Sequence, residues 1–130
     1  MNAEKAVYAM LNASSAIAGM VGTRIYLDTR PEADPLPAIV YELISDKQDN
    51  TLTGEQELAT ARIQVNCLGN IADDLVTLRE YVRVACHNQS GVFNGVNVVS
   101  SIRSGSGPDS YDQLVNIYVK SIDFMIRYYV

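Results

Sequence analysis

The chain has 130 residues, with 10 Lys and Arg set against 15 Asp and Glu, a net charge of −5 at neutral pH. That balance argues against a protein that grips nucleic acid through its phosphates, though not against one that DNA merely passes, and no apolar run approaches a membrane span of about 20 residues. The length suits one domain over residues 1–130, able to bury roughly two-thirds of its unfolded surface and so to build a core without staples.

Apolar content is 48% and charged content 19%, a combination that hints at surface covered by a partner. The start, Met1-Asn2-Ala3-Glu4-Lys5, has neither the basic nor the apolar region of a secretory signal. Residues 2–18 then read as one helix, with Ala3, Val7, Met10, Leu11, Ser14, Ile17 and Ala18 on a stripe and Gly19 and Gly22 as its end. Val21-Gly22-Thr23-Arg24-Ile25-Tyr26 turns into a short extended piece. Residues 27–36, with Pro31 and Pro35 among acids, are loop.

Residues 38–45 are apolar on both faces apart from Glu42, as in a strand covered twice, once by the chain's own helix and once by a second subunit. The polar stretch 46–57, with turn signals at Asp49-Asn50 and Thr53-Gly54, connects it to a second strand in a long hairpin. That second strand, 58–68, alternates cleanly: Ala61, Ile63, Val65 and Cys67 against Thr60, Arg62, Gln64 and Asn66. After Leu68-Gly69-Asn70 the period changes. Ile71, Leu75, Leu78, Val82 and Ala85 form a helical stripe, with Asn70 as N-cap, Asp73 and Asp74 at the positive end of the helix dipole, and Gly91 as stop. Strand and helix, joined by a short turn, cover each other and form the unit around which the rest is arranged.

Residues 88–95 are turn, punctuated by Gly91 and Asn94-Gly95, and Val96 to Arg103 alternates as a strand, with Ser104–Ser110 a flexible connector. Leu114 to Tyr129 is a long last strand whose apolar parity flips between Val119 and Ile122, predicting a bulge near Lys120-Ser121. Fully extended it would reach roughly 50 Å, so it bends or projects. The expected fold class is α+β: two helices on one face of a mainly antiparallel sheet of four main strands, with Val40, Ile44 and Val99 on the face left for a subunit interface.

Catalytic parts are missing. His87, the one histidine, sits at a helix end and reads as a dipole partner. Cys67 and Cys86 read as buried thiols; as sequence neighbours on a helix, Cys86 and His87 do not face each other. One His and two Cys do not make a zinc site, and Asp73-Asp74 is explained by the helix end. Gly105-Ser106-Gly107 lacks the Lys-Ser/Thr of a phosphate loop. No catalytic residue, metal or cofactor is expected.

The pieces in order then resemble a known family. A short N-terminal helix, Val21-Gly22-Thr23-Arg24-Ile25-Tyr26, a proline-bearing loop into Leu36-Pro37-Ala38-Ile39-Val40-Tyr41, the strand Arg62–Cys67, a helix, and Tyr111-Asp112 before a long final strand together resemble the tail-completion, or tail-terminator, proteins of long-tailed bacteriophages and prophages. The resemblance runs nearly the whole length. It implies a structural, non-enzymatic virion protein: a ring, commonly a hexamer, that caps the tail tube, stops its polymerisation and docks to the head-to-tail connector or stopper. DNA would pass through it without specific binding. It also implies a place at the head-proximal end of the tail, after assembly in the host cytoplasm.

Polarity and length single out two loops as partner surfaces. One holds Asp46, Lys47, Gln48, Asp49, Asn50, Thr51, Thr53, Glu55 and Glu57, facing tail tube or lumen; the other holds Ser104, Ser106, Asp109, Tyr111 and Asp112, facing connector or neighbour. The alternatives left open are a different neck or stopper component, a small α+β module that dimerises through its sheet faces, and an enzyme using Cys86 and His87 or the Asp pairs.

Overall fold

A computed structural model describes residues 3–31, 35–48 and 58–129. Three helices, α1 (Ala3–Asn12), α2 (Ser15–Val21) and α3 (Ala72–Cys86), accompany seven strands: β1 (Ile25–Leu27), β2 (Ala38–Gln48), β3 (Leu58–Gly69), β4 (Gln89–Phe93), β5 (Val96–Ser106), β6 (Ser110–Asp112) and β7 (Ile117–Tyr129). The sheet order is β1-β2-β3-β7-β5-β4, with β6 added to β7. Every pairing is antiparallel except β1 with β2. The class is thus α+β, but the described residues hold three helices where two are predicted, and seven strands where four main ones and a short extended piece are.

Each extra element has a local cause. The N-terminal stripe is continuous, yet the helix breaks at Ala13-Ser14 because the Ser14 hydroxyl accepts from the Ile17 amide at 3.3 Å and caps a new helix. Gly19 lies inside α2, and Gly22, at φ 60°, ends it. The region read as turn after the third helix is strand β4. Asn94 and Gly95 both take positive φ (52° and 81°), the requirement of a tight primed turn, and fold it onto β5.

The expected strand–helix unit is at the centre. Ala61, Ile63, Val65 and Cys67 of β3 and Leu75, Leu78 and Val82 of α3 are fully buried in one core with Val7, Leu11 and Ile17 of the first two helices. A Cβ on Gly69 would lie 3.0 Å from Leu75, so glycine there lets the helix close directly onto the strand end. Asn70 does not cap α3. Ile71 holds the N-cap position with no side-chain bond, while the Asn70 amide donates instead to the Asn116 carbonyl at 2.8 Å. The helix also stops earlier than Gly91, at His87 and the positive-φ residue Asn88.

The predicted bulge in the last strand is absent. β7 pairs with β3 in unbroken register from Tyr118↔Gly69 to Tyr129↔Leu58. The parity flip instead marks a change in which face is covered. Ile122, Phe124, Ile126 and Tyr128 lie under the helices and are buried. Ile117 and Val119 have the opposite parity and stand on the other face. The bulges fall on other strands: between Leu43 and Ser45 in β2, where it pairs with β3, and between Val98 and Ser100 and between Arg103 and Gly105 in β5, where it pairs with β7. The first β5 shift explains why Ser101, two residues after the exposed Val99, is fully buried and donates to the Cys86 carbonyl.

Candidate interaction surfaces

The first predicted loop begins later than expected. Asp46, Lys47 and Gln48 are strand residues, paired with Ala61, Thr60 and Ala59. Asp46 is anchored as well: the Tyr128 hydroxyl donates to its carboxylate at 2.7 Å. Burial, and then the Asp46 carboxylate, push the Tyr128 hydroxyl well above its ordinary pKa. Asp49, Asn50, Thr51, Thr53, Glu55 and Glu57 lie outside the described residues.

The second predicted loop is not a free connector. Ser104 and Ser106 belong to β5, and Tyr111 and Asp112 to β6. Between them Asp109 is held by two cations, Arg79 at 2.8 Å and Lys120 at 3.2 Å, while the Gly107 amide donates to the Ser121 carbonyl at 2.8 Å. Burial tends to raise the Asp109 pKa, but the Lys120 hydrogen bond and the Arg79 charge outweigh it and leave the carboxyl below its usual range. The β6–β7 hairpin is stiffened by the Tyr111 and Tyr118 rings, 4.3 Å between centroids, and by the Tyr111 hydroxyl donating to Asn116 at 2.6 Å. At its tip Leu114 is 95% exposed and Val115 is exposed beside it.

The sheet face away from the helices is polar at its centre. Asp123, 3% exposed, accepts from Arg62 Nε at 2.9 Å and from a second Arg62 nitrogen; among the described residues nothing bonds its other oxygen, Oδ1. Beside it the Ser121 hydroxyl donates to Asn66 at 2.7 Å, and the Asn66 amide to Glu42 at 3.4 Å. Apolar side chains flank this network. Of the three predicted interface residues, Val40 is buried within the single chain, whereas Ile44 and Val99 are exposed. These two stand at the strand irregularities of β2 and β5, where a bulge re-aims a side chain outward.

The candidate nucleophiles have no access to substrate. Cys67 and Cys86 are fully buried; desolvation raises the Cys67 thiol to about 12 and pushes Cys86 up likewise, so both stay protonated. His87 accepts the Arg103 backbone amide at 3.1 Å through Nδ1, and among the described residues no three His, Cys, Asp or Glu side chains cluster as metal ligands.

The profile of the family described as tail completion protein gp17 matches residues 5–129. The chain belongs to that family. It is a phage tail-completion protein, a structural tail-assembly protein and not an enzyme. No curated protein matches it significantly. Among solved structures, a chain from the virion of a native gene transfer agent particle superposes with a TM-score of 0.72 at 17% identity, covering 96% of this tail-completion protein and 92% of the other chain. At that identity the likeness is one of fold.

Sequence reading missed the Arg62–Asp123 pair, the Asp46–Tyr128 bond and the Asp109 clamp. The alternation of 60–67 put Arg62 on the polar face, but its partner is 61 residues away. An acid at Asp123 inside the apolar run of the last strand was the one available signal.

Proposed function

We propose that this tail-completion protein forms a closed ring, of six copies, at the head-proximal end of the tail. The ring caps the tail tube, stops its polymerisation and presents its opposite rim to the head-to-tail connector or stopper. DNA passes through the lumen unbound, which suits a chain of net charge −5 because fixed negative charge repels phosphates. The observation that carries this reading is the family match over residues 5–129, which spans the whole sheet. The helix-free sheet face supports it: Ile44 and Val99 are exposed there and available to a neighbouring copy, with Val40 buried behind them. Subunits fold in the host cytoplasm and end in the virion.

On this reading the end of the β2–β3 hairpin, beyond the anchored Asp46, meets the tail tube or lumen, and the stretch from Ser104 to Asp112 meets the connector or a neighbour. Deleting Asp49 to Thr53 should leave the fold and the ring intact but yield tails that are uncapped or fail to join heads. Normal joining by that variant removes the hairpin assignment. Electron microscopy of the protein mixed with tail tubes tests the whole reading. Decoration of one tube end supports it; decoration along the tube, or none, overturns it.

A further inference from the structure

The edges of the sheet are finished in different ways. β1 and β6 are only three residues each. The outer side of β5 is closed from the end of α3: the Asn88 amide donates to the Ser101 carbonyl at 2.6 Å, and the Arg103 amide to His87 Nδ1 at 3.1 Å. The outer side of β2 has no such closure. β1 pairs only with Ile39, Val40 and Tyr41, and the last bond on that side is the Asp28 amide donating to the Tyr41 carbonyl at 3.0 Å. β2 runs on for seven residues past Tyr41, and among the described residues no strand pairs with that stretch from outside. Leu43, Ile44, Ser45, Asp46 and Lys47 are all exposed there. An edge of this kind presents a row of unpaired amides and carbonyls to any strand of matching pattern.

The register with β3 defines that pattern. The Tyr41 backbone groups point outward, so by alternation those of Leu43 do too; the irregularity between Leu43 and Ser45 shifts the count by one, and the next outward residue is Asp46. The same shift puts Glu42 and Lys47, paired with Gln64 and Thr60, on one face, away from the helices. We infer that this edge pairs with the same edge of a second copy, antiparallel, about a two-fold axis between Ile44 and Ser45. In that register Leu43 of each copy meets Asp46 of the other, both outward, and they exchange backbone hydrogen bonds. Glu42 of each copy stands opposite Lys47 of the other, and opposite charges directly across an antiparallel pair stabilise it. Both side chains have capacity to spare: Glu42 accepts the Asn66 amide through Oε1 alone, at 3.4 Å, and among the described residues nothing bonds the Lys47 side chain. A slip of one residue loses both the backbone and the charge match. A two-fold contact closes on itself and does not propagate round a ring, so this pair is a state of the free chain. On the tail-tube reading above, on which this role alone rests, pairing holds the strand leading to the hairpin end against a second copy until a tail end takes it.

Sedimentation and amide hydrogen exchange of the full chain test this. The free chain should pass from monomer to dimer as its concentration rises, and the Leu43 and Asp46 amides should exchange at least about tenfold more slowly in the dimer. K47E, at an exposed site, should keep the wild-type unfolding temperature and dimerise about tenfold more weakly. E42K should weaken the dimer similarly, and an equimolar mixture of the two variants should associate as wild type does, because each mixed pair restores both charge matches. A free chain that stays monomeric at every concentration overturns the pairing, as does a dimer whose Leu43 and Asp46 amides exchange as in the monomer. A dimer that K47E and E42K leave unchanged overturns the register. Capped tail ends with no free dimer overturn the pairing and leave the ring standing, whereas a free dimer without capped tail ends leaves the pairing standing and overturns the ring.

Discussion

The two faces of the sheet use the same strands for opposite purposes. Along β3 and β7, one parity places Ala61, Ile63, Val65, Ile122, Phe124 and Ile126 under the helices, all fully or almost fully buried. The other parity places Arg62, Asn66, Ser121 and Asp123 in a hydrogen-bonded network, with exposed Ile44 and Val99 at the strand irregularities beside it. The covered face decides that the chain folds. The open face contributes less to folding, since polar pairs roughly balance their desolvation, but its geometry is unique and its rim is free for another molecule.

That contrast can be broken most forcefully from the covered side. Phe124→Ala empties the largest fully buried side chain in the core and should cost about 3–5 kcal/mol in chemical denaturation. A loss below about 1 kcal/mol would mean the core is not where it is placed here. On the open face, Arg62→Ala strands the buried Asp123 carboxylate and should cost about 2 kcal/mol, less than for a fully buried pair because the Arg62 side chain is 46% exposed. Loss equal to that of Phe124→Ala would erase the distinction between the faces.

Tyr128→Phe lies between the two, since its ring is in the core and its hydroxyl reaches Asp46. It should cost about 1–2 kcal/mol at neutral pH. The folded pKa of Tyr128 is raised above the ordinary 10.0, so the hydroxyl's contribution is complete below about pH 10 and is lost as pH climbs through the raised value. The gap between wild type and Tyr128→Phe should therefore close in strong alkali, and thermal unfolding across that range would show it. Ile44→Ser should move stability least, within about 0.5 kcal/mol, yet lower ring assembly as read by sedimentation. Unchanged assembly would take Ile44 out of the interface.

Much of this division was legible in residue order. The alternation of 60–67 and the stripe of 75–82 gave the central strand, the helix and the face on which they meet. The family was legible too, through the order of short motifs spread over the chain. The break at Ser14 was not, because the helical stripe runs straight through it and only the cap bond reveals the new start. Strand β4 was hidden because Gln89–Phe93 contains Gly91 and has no alternation to show. The parity change in the last strand was read correctly as a change but assigned to a bulge. The bulges lie on β5, which pairs with it, and on β2, one strand further away, where a single strand's sequence leaves no mark. The second loop looked free because its anchor, Asp109, meets cations 30 and 11 residues away.

The sequence by itself determined the local periods, the acidic balance, the lack of a catalytic set and the family, because each depends on spacing along the chain. Tertiary structure alone decided that Asp46 and Asp109 are anchored, and that Val40 is buried while Ile44 and Val99 are exposed. These are meetings between residues far apart in the chain, set by strand register and helix packing, and neither leaves a periodic signal in the residues that meet.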